Sequence, residues 1–250
     1  MSLNTRGFTV PELVLALGLF TVVMAGVSRV LLTQKRLYRE LGQRADLSDN
    51  LRAAGDILSS DLWGLDAMDG DILAMGPDSI RIRAERAFSG VCGPTTSPLR
   101  LRNDLAFGIR DFAVGDSLLI YSSPDSAWRT GVVTSAPTRV SCPDSVLVTP
   151  VRAFEVVTYR SYRASDGAYY IGVRDAGGLQ PIAGPLSPAG LLFTFFDSSG
   201  APTLVPRAVV AIGVRIRMQS AEPVTRRGVT ALLEDSLVTR VSLRNNPGAL

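Results

Sequence analysis

The stretch Arg6 to Leu32, RGFTVPELVLALGLFTVVMAGVSRVLL, decides how the rest of the chain is read. A short polar leader, Met1 to Gly7, leads into it, with Arg6 as its only charged side chain. From Phe8 onward roughly 25 residues are apolar, enough at ~1.5 Å per residue to cross a ~30 Å hydrocarbon layer as one helix. Two charges interrupt the run, Glu12 and Arg29. Arg29 lies near the far end, where a long side chain reaches headgroups. Glu12 is short and sits one turn inside, where an acid costs roughly 2.5–3.5 kcal/mol on insertion scales. Such a residue calls for a partner or a function.

Arg6, Gly7, Phe8, Thr9 and Glu12, followed by Leu13, Val14, Leu15, Ala16 and Leu17, resemble the class III signal of type IV prepilins and type II secretion pseudopilins. Pro11 stands where many members carry an aliphatic residue, and proline is a familiar variant there. The resemblance implies a membrane peptidase that cuts between Gly7 and Phe8 on the cytoplasmic side and methylates the new Phe8 amine. Pairing that amine with the Glu12 carboxylate of a neighbouring subunit then relieves two charges unwelcome in lipid and sets the stagger between helices. The plainer alternative is an ordinary signal anchor with an incidental Glu. A secretory signal peptide fits poorly, because the run is too long and no A-x-A-like site follows it.

With the anchor removed, the remainder of this 250-residue chain suits one domain. Its 46% hydrophobic and 20% charged residues are a globular balance. The net charge of +3 is almost all Arg against acids, Lys35 being the only lysine, with no polybasic block; basicity alone therefore says little about nucleic acid. The chain has no histidine, which removes Ser-His-Asp and Cys-His catalysis and histidine zinc sites. Cys92 and Cys142 are the only cysteines. In an exported domain such a pair forms a disulfide more often than two buried thiols, with ~3–4 kcal/mol to gain from the loop it closes. Positive charge is heavier after the helix (Lys35, Arg36, Arg39, Arg44) than before it (Arg6). Taken alone, that keeps the large domain cytoplasmic; the cysteine pair and the export of prepilin domains point to the periplasm.

The helical pattern continues past the anchor through Leu37, Leu41, Leu47, Leu51, Ala54, Ile57, Leu58, Leu62 and Leu65, spaced by three and four. This predicts one helix from Phe8 to about Leu62, the first half in lipid and the second on a sheet, ended by DAMDGD, Asp66 to Asp71. That acidic cluster lacks EF-hand spacing and the closing Glu and reads as a solvated turn. From Ser79 the pattern changes to period two: SIRIRA, SLLIYSS, GVVTS, SVLVT, FEVVTYRSY, AYYIGVR, LLFTFFD, VVAIGVRIRM, GVTALL and LVTRVSL are the expected strands. Residues 88–112 show no clear period and read as a long loop. LSPAGLLFTFFDSSGAP, VVAIGVRIRM and LVTRVSLRN together are similar to the end of PilW-like and J-type minor pseudopilins.

No catalytic constellation emerges. Glu155 and Asp166 are a formal carboxylate pair without supporting context. Gly177 and Gly178 make a turn and not a phosphate loop. Phe193, Phe195, Phe196, Tyr159, Tyr162, Tyr169 and Tyr170 are explained by strand packing, although tyrosines interleaved with Arg160, Arg163 and Arg174 also suit nucleic-acid stacking. The expectation is an α+β, pilin-like, non-enzymatic protein without metal or cofactor: a leader over 1–7, a transmembrane half-helix over 8–32, an amphipathic half over 33–65 and a periplasmic β-rich domain over 66–250. The resemblance implies as partners the prepilin peptidase and methyltransferase, other minor and major pilins and the inner membrane, in a type IV pilus or type II secretion pseudopilus. The alternative is a filament-displayed module for adhesion or DNA uptake.

Overall fold

A computed structural model describes residues 9–93, 95, 98–143, 147–226 and 229–244. Helix α1 runs unbroken from Val10 to Trp63. Its window of highest mean hydropathy, 2.1, is wholly unburied, and α1 is long and apolar enough to cross a membrane. The chain divides into two units: the described part of Met1–Asp46 with Ser220–Leu233, and Leu47–Gln219 with the described part of Glu234–Leu250.

The first unit holds the apolar part of α1 and a small hairpin. Along this part of the helix an i,i+4 ion pair joins Glu40 to Arg44 at 3.0 Å. The hairpin is named below with the strands.

In the second unit, α1 buries Leu47, Leu51, Ala54, Leu58 and Leu62. Their spacing of three and four makes one stripe, the condition for lying on a sheet. Leu37 and Leu41, on the same predicted face, are exposed, as is Ile57; burial begins at Leu47, later than the amphipathic pattern predicts. Gly55 lies so close to Leu237 that a Cβ there would overlap its side chain. After Trp63 the chain turns sharply, with Gly70 at φ +83° and the Asp71 amide donating to the Asp66 carbonyl at 3.0 Å.

The strands are β1 (Ile72–Met75), β2 (Ser79–Cys92), β3 (Arg100–Gly108), β4 (Ser117–Ser122), β5 (Ala127–Val132), β6 (Thr138–Val140), β7 (Val148–Arg163), β8 (Tyr169–Asp175), β9 (Gly178–Phe196), β10 (Ala211–Gln219), β11 (Val224–Arg226), β12 (Val229–Ala231) and β13 (Glu234–Ser242). The main sheet has the order β13-β10-β9-β8-β7-β2-β3-β6, with β1 beside β2, β4 beside β7 and β5 beside β4. Among the described residues only β3 with β6 is parallel; the other pairs are antiparallel, and the architecture is α+β. β11 and β12 pair with each other alone and form the hairpin of the first unit.

Several sequence expectations need correction. Residues 88–112 are not a long loop: β2 extends through them to Cys92, and β3 follows. A bulge between Glu85 and Ala87 shifts the register of β2, so the period of two changes phase there and the alternation disappears from the sequence. SVLVT and FEVVTYRSY belong to one strand, β7, over their described residues. GVVTS is strand only to Val132. β9 begins at Gly178, well before the predicted LLFTFFD, through a segment whose glycines and prolines read as loop.

Candidate assembly site and its buried anchors

Glu12 lies in the first turn of α1 and is exposed among Val10, Leu13, Val14 and Leu15, themselves exposed. Among the described residues it has no hydrogen-bond or ion-pair partner. Arg6, Gly7 and Phe8, the expected leader charge, cleavage and methylation positions, lie outside the described residues. What the helix presents is an apolar surface on every side, carrying one carboxylate near its start.

At the other end of α1 a second carboxylate is treated differently. Asp61 accepts both Arg86 Nη1 contacts, at 3.0 and 3.1 Å, and the Tyr159 hydroxyl at 2.6 Å. Arg86 also donates through Nε to Glu155 at 3.1 Å. Arg86 reaches this position because it follows the buried Ile82 and Ala84 in phase on β2, and Tyr159 because it follows the buried Val157 by one period on β7. Burial opposes the Arg86 charge, but Asp61 and Glu155 outweigh it and raise its pKa. Burial, reinforced by the Asp61 carboxylate, also pushes the Tyr159 hydroxyl up, keeping it a neutral donor. The cluster fastens the end of α1 to β2 and β7 by charge-assisted bonds.

A third cluster sits beneath the turn that ends the helix. Asp71 and Arg152 form a buried ion pair at 3.1 Å, with side chains 2% and 6% exposed. The guanidinium lies 4.6 Å from the Trp128 ring centroid. Asp71 also accepts the Asp66 amide at 2.9 Å. Burial holds the Asp71 carboxyl above its ordinary range despite the neighbouring Arg152. The DAMDGD cluster is thus a turn but not the solvated one expected, since Asp71 is buried against Arg152, and among the described residues no group of three or more acidic or cysteine side chains is placed to hold a metal ion.

Cys92, at the end of β2, is joined to Cys142, just past β6, with Cα atoms 5.7 Å apart. Glu155 and Asp166 serve separate structures: the first binds Arg86, the second accepts the Ala168 amide and the Tyr170 hydroxyl in its own turn. Gly177 lies in the turn between β8 and β9, and Gly178 opens β9. Tyr159, Phe193 and Phe195 are core residues. Phe196 carries Arg240 over its ring at 4.2 Å, and Tyr162 pairs with Tyr170 at 6.2 Å between centroids. Sequence reasoning missed Asp61, Arg86, Asp71 and Arg152, since a charged residue between apolar ones gives no sign of whether it will be buried. Comparison with protein-family models, curated proteins and solved structures finds no match to this chain.

Proposed function

We propose that the chain is a minor pseudopilin, PilW-like or J-type, that joins other minor subunits to initiate or cap a type IV pilus or type II secretion pseudopilus. The observation that carries this reading is the division of labour along α1. Its amino-terminal stretch is apolar on all sides and exposed, with one carboxylate in the first turn, while its carboxy-terminal stretch is striped, buried and pinned to an antiparallel sheet. A helix apolar all round needs an apolar surrounding, either lipid or other such helices. Moving between these two is what filament assembly demands.

On this reading cleavage after Gly7 frees the Phe8 amine, and Glu12 of an adjacent subunit receives it. The pair relieves the cost of an isolated carboxylate in hydrocarbon, roughly 2.5–3.5 kcal/mol, and selects one stagger between helices. The sheet domain lies in the periplasm and supplies lateral contacts. The alternative, a displayed module for adhesion or DNA uptake, keeps the exposed Arg160 and Arg174 but loses Tyr159, Phe193 and Phe195 to the core.

The test is intact and peptide mass spectrometry of the full chain purified from its own membranes. A mature chain beginning at methylated Phe8 is expected. An intact Met1 to Gly7 leader in cells with an active prepilin peptidase overturns the reading.

A further inference from the structure

On β7, Phe154 is the last residue paired with β4 and Thr158 the first paired with β8. Between them, residues 155–157 have no strand on that edge, a gap of about 10 Å at ~3.3 Å per residue. A recess of about 750 Å³ opens at this break. Register places charge around it. Arg81 of β2 and Arg174 of β8 are both direct cross-strand partners of Thr158, and Arg160 follows Thr158 by one period on the same face. This face is opposite to the one that buries Val157 and Tyr159 against α1.

Arg81, Arg160 and Arg174 are exposed and line the recess. Among the described residues none of the three has a carboxylate within salt-bridge distance. The acids nearby are already engaged: Asp116 binds Arg110, Glu155 binds Arg86, and Asp175 accepts the Gly177 amide. Three like charges gathered by register, with no direct carboxylate partner among the described residues, repel one another until an anion arrives.

We propose that this recess docks an acidic, extended segment of a partner subunit, which rests on the assembly reading above. The guanidinium forks suit carboxylates, and the unpaired strand edge suits a peptide main chain, which can extend it. A nucleic acid fits less well, because a phosphate backbone has no use for the strand edge. The docking gives the sheet domain a charge-selective contact in addition to the helix.

The experiment is fluorescence anisotropy on the full chain in detergent, with a labelled peptide of alternating Glu and Val as probe. Peptides of alternating Gln and Val and a duplex oligonucleotide serve as competitors. The acidic peptide binds and is not displaced by either competitor. Combined Arg81→Glu, Arg160→Glu and Arg174→Glu weakens it about tenfold or more with the unfolding midpoint unchanged. If that variant unfolds, the Arg→Gln version at the same positions takes its place and must show the same loss. Absent binding, binding indifferent to the three arginines, or preference for the oligonucleotide overturns the proposal. Phe8 methylation separates this outcome from the assembly reading. A methylated chain without acidic-peptide binding keeps the pseudopilin and removes the recess, and an unmethylated chain that binds does the reverse.

Discussion

Two stretches of the same helix carry carboxylates in opposite circumstances. Around Glu12, Val10, Leu13, Val14 and Leu15 are apolar and exposed, and the acid has no side-chain partner among the described residues. Around Asp61 the helix is striped, Leu58 and Leu62 are fully buried, and the acid holds Arg86 and Tyr159. Helical propensity is shared; what differs is how polarity is distributed round the axis. A stripe commits the helix to a sheet on one side and water on the other, and a charge at its margin can be satisfied within the chain. A cylinder apolar all round commits to nothing inside the chain, so an acid one turn inside it calls for a partner from outside.

The sharpest way to break this comparison is to remove both acids in turn. Asp61→Ala leaves Arg86 half-paired and partly buried and is expected to cost about 3–5 kcal/mol, as for other broken buried pairs. Glu12→Ala leaves the unfolding midpoint of the full chain in detergent unchanged while abolishing co-purification with neighbouring subunits. Equal thermal effects of the two would show that Glu12 is structural. The next contrast is apolar. Leu58→Ala creates a cavity against the sheet and costs about 2–5 kcal/mol by denaturant titration, whereas Leu17→Ala costs the sheet domain nothing measurable. A smaller effect belongs to Tyr159→Phe, which deletes one hydrogen bond to Asp61 and costs about 1–2 kcal/mol. Loss on that scale, with Arg86 still in place, would confirm that the arginine carries more of the anchor than the tyrosine.

The smallest effect is one of pH. Burial holds the Glu85 carboxyl above its ordinary range, against the pull of Arg152 and Arg244. Because its folded pKa lies above its unfolded one, its contribution to stability is present below the unfolded pKa and is lost as pH rises through the raised folded value. Glu85→Gln, uncharged throughout, is therefore expected to melt slightly higher than the parent at neutral pH, with the difference closing in acid. A difference that widens in acid would contradict burial as the cause. Glu85 is thus an intermediate case between Glu12 and Asp61, a carboxylate held by the fold without a hydrogen-bond partner among the described residues.

Parts of the fold were legible residue by residue. Ile212, Val214, Ile216 and Met218 alternate with Gly213, Arg215 and Arg217, and the first four are buried. On β13 and just past its end, Val241 and Leu243 are buried while Arg240 and Ser242 are exposed, again as alternation predicts. The long helix was equally plain from its apolar run and the stripe that follows. The illegible parts have physical causes. Arg86 keeps the phase of the buried Ile80, Ile82 and Ala84 and so faces α1, while the bulge between Glu85 and Ala87 reverses the facing of β2 beyond it, where the sequence looks like loop. β9 runs through glycines and prolines that local propensity assigns to turns, and its pairing with β8 and β10 overrides them.

The sequence by itself determined what consecutive residues can determine: a membrane-length apolar helix with one acid inside it, a helical stripe after it whose buried part starts only at Leu47, alternating strands, and no histidine for catalysis. Tertiary structure alone decided which charges are buried and with whom. Arg86 lies 25 residues from Asp61, and Tyr159 lies 98. It also decided that Arg81 and Arg174 flank Thr158 on one open face. Periodicity is local, because it follows from the geometry of one helix or one strand. The desolvation of a charge, and the pairing that offsets it, depend on cross-strand register and long-range packing, which no window of sequence contains.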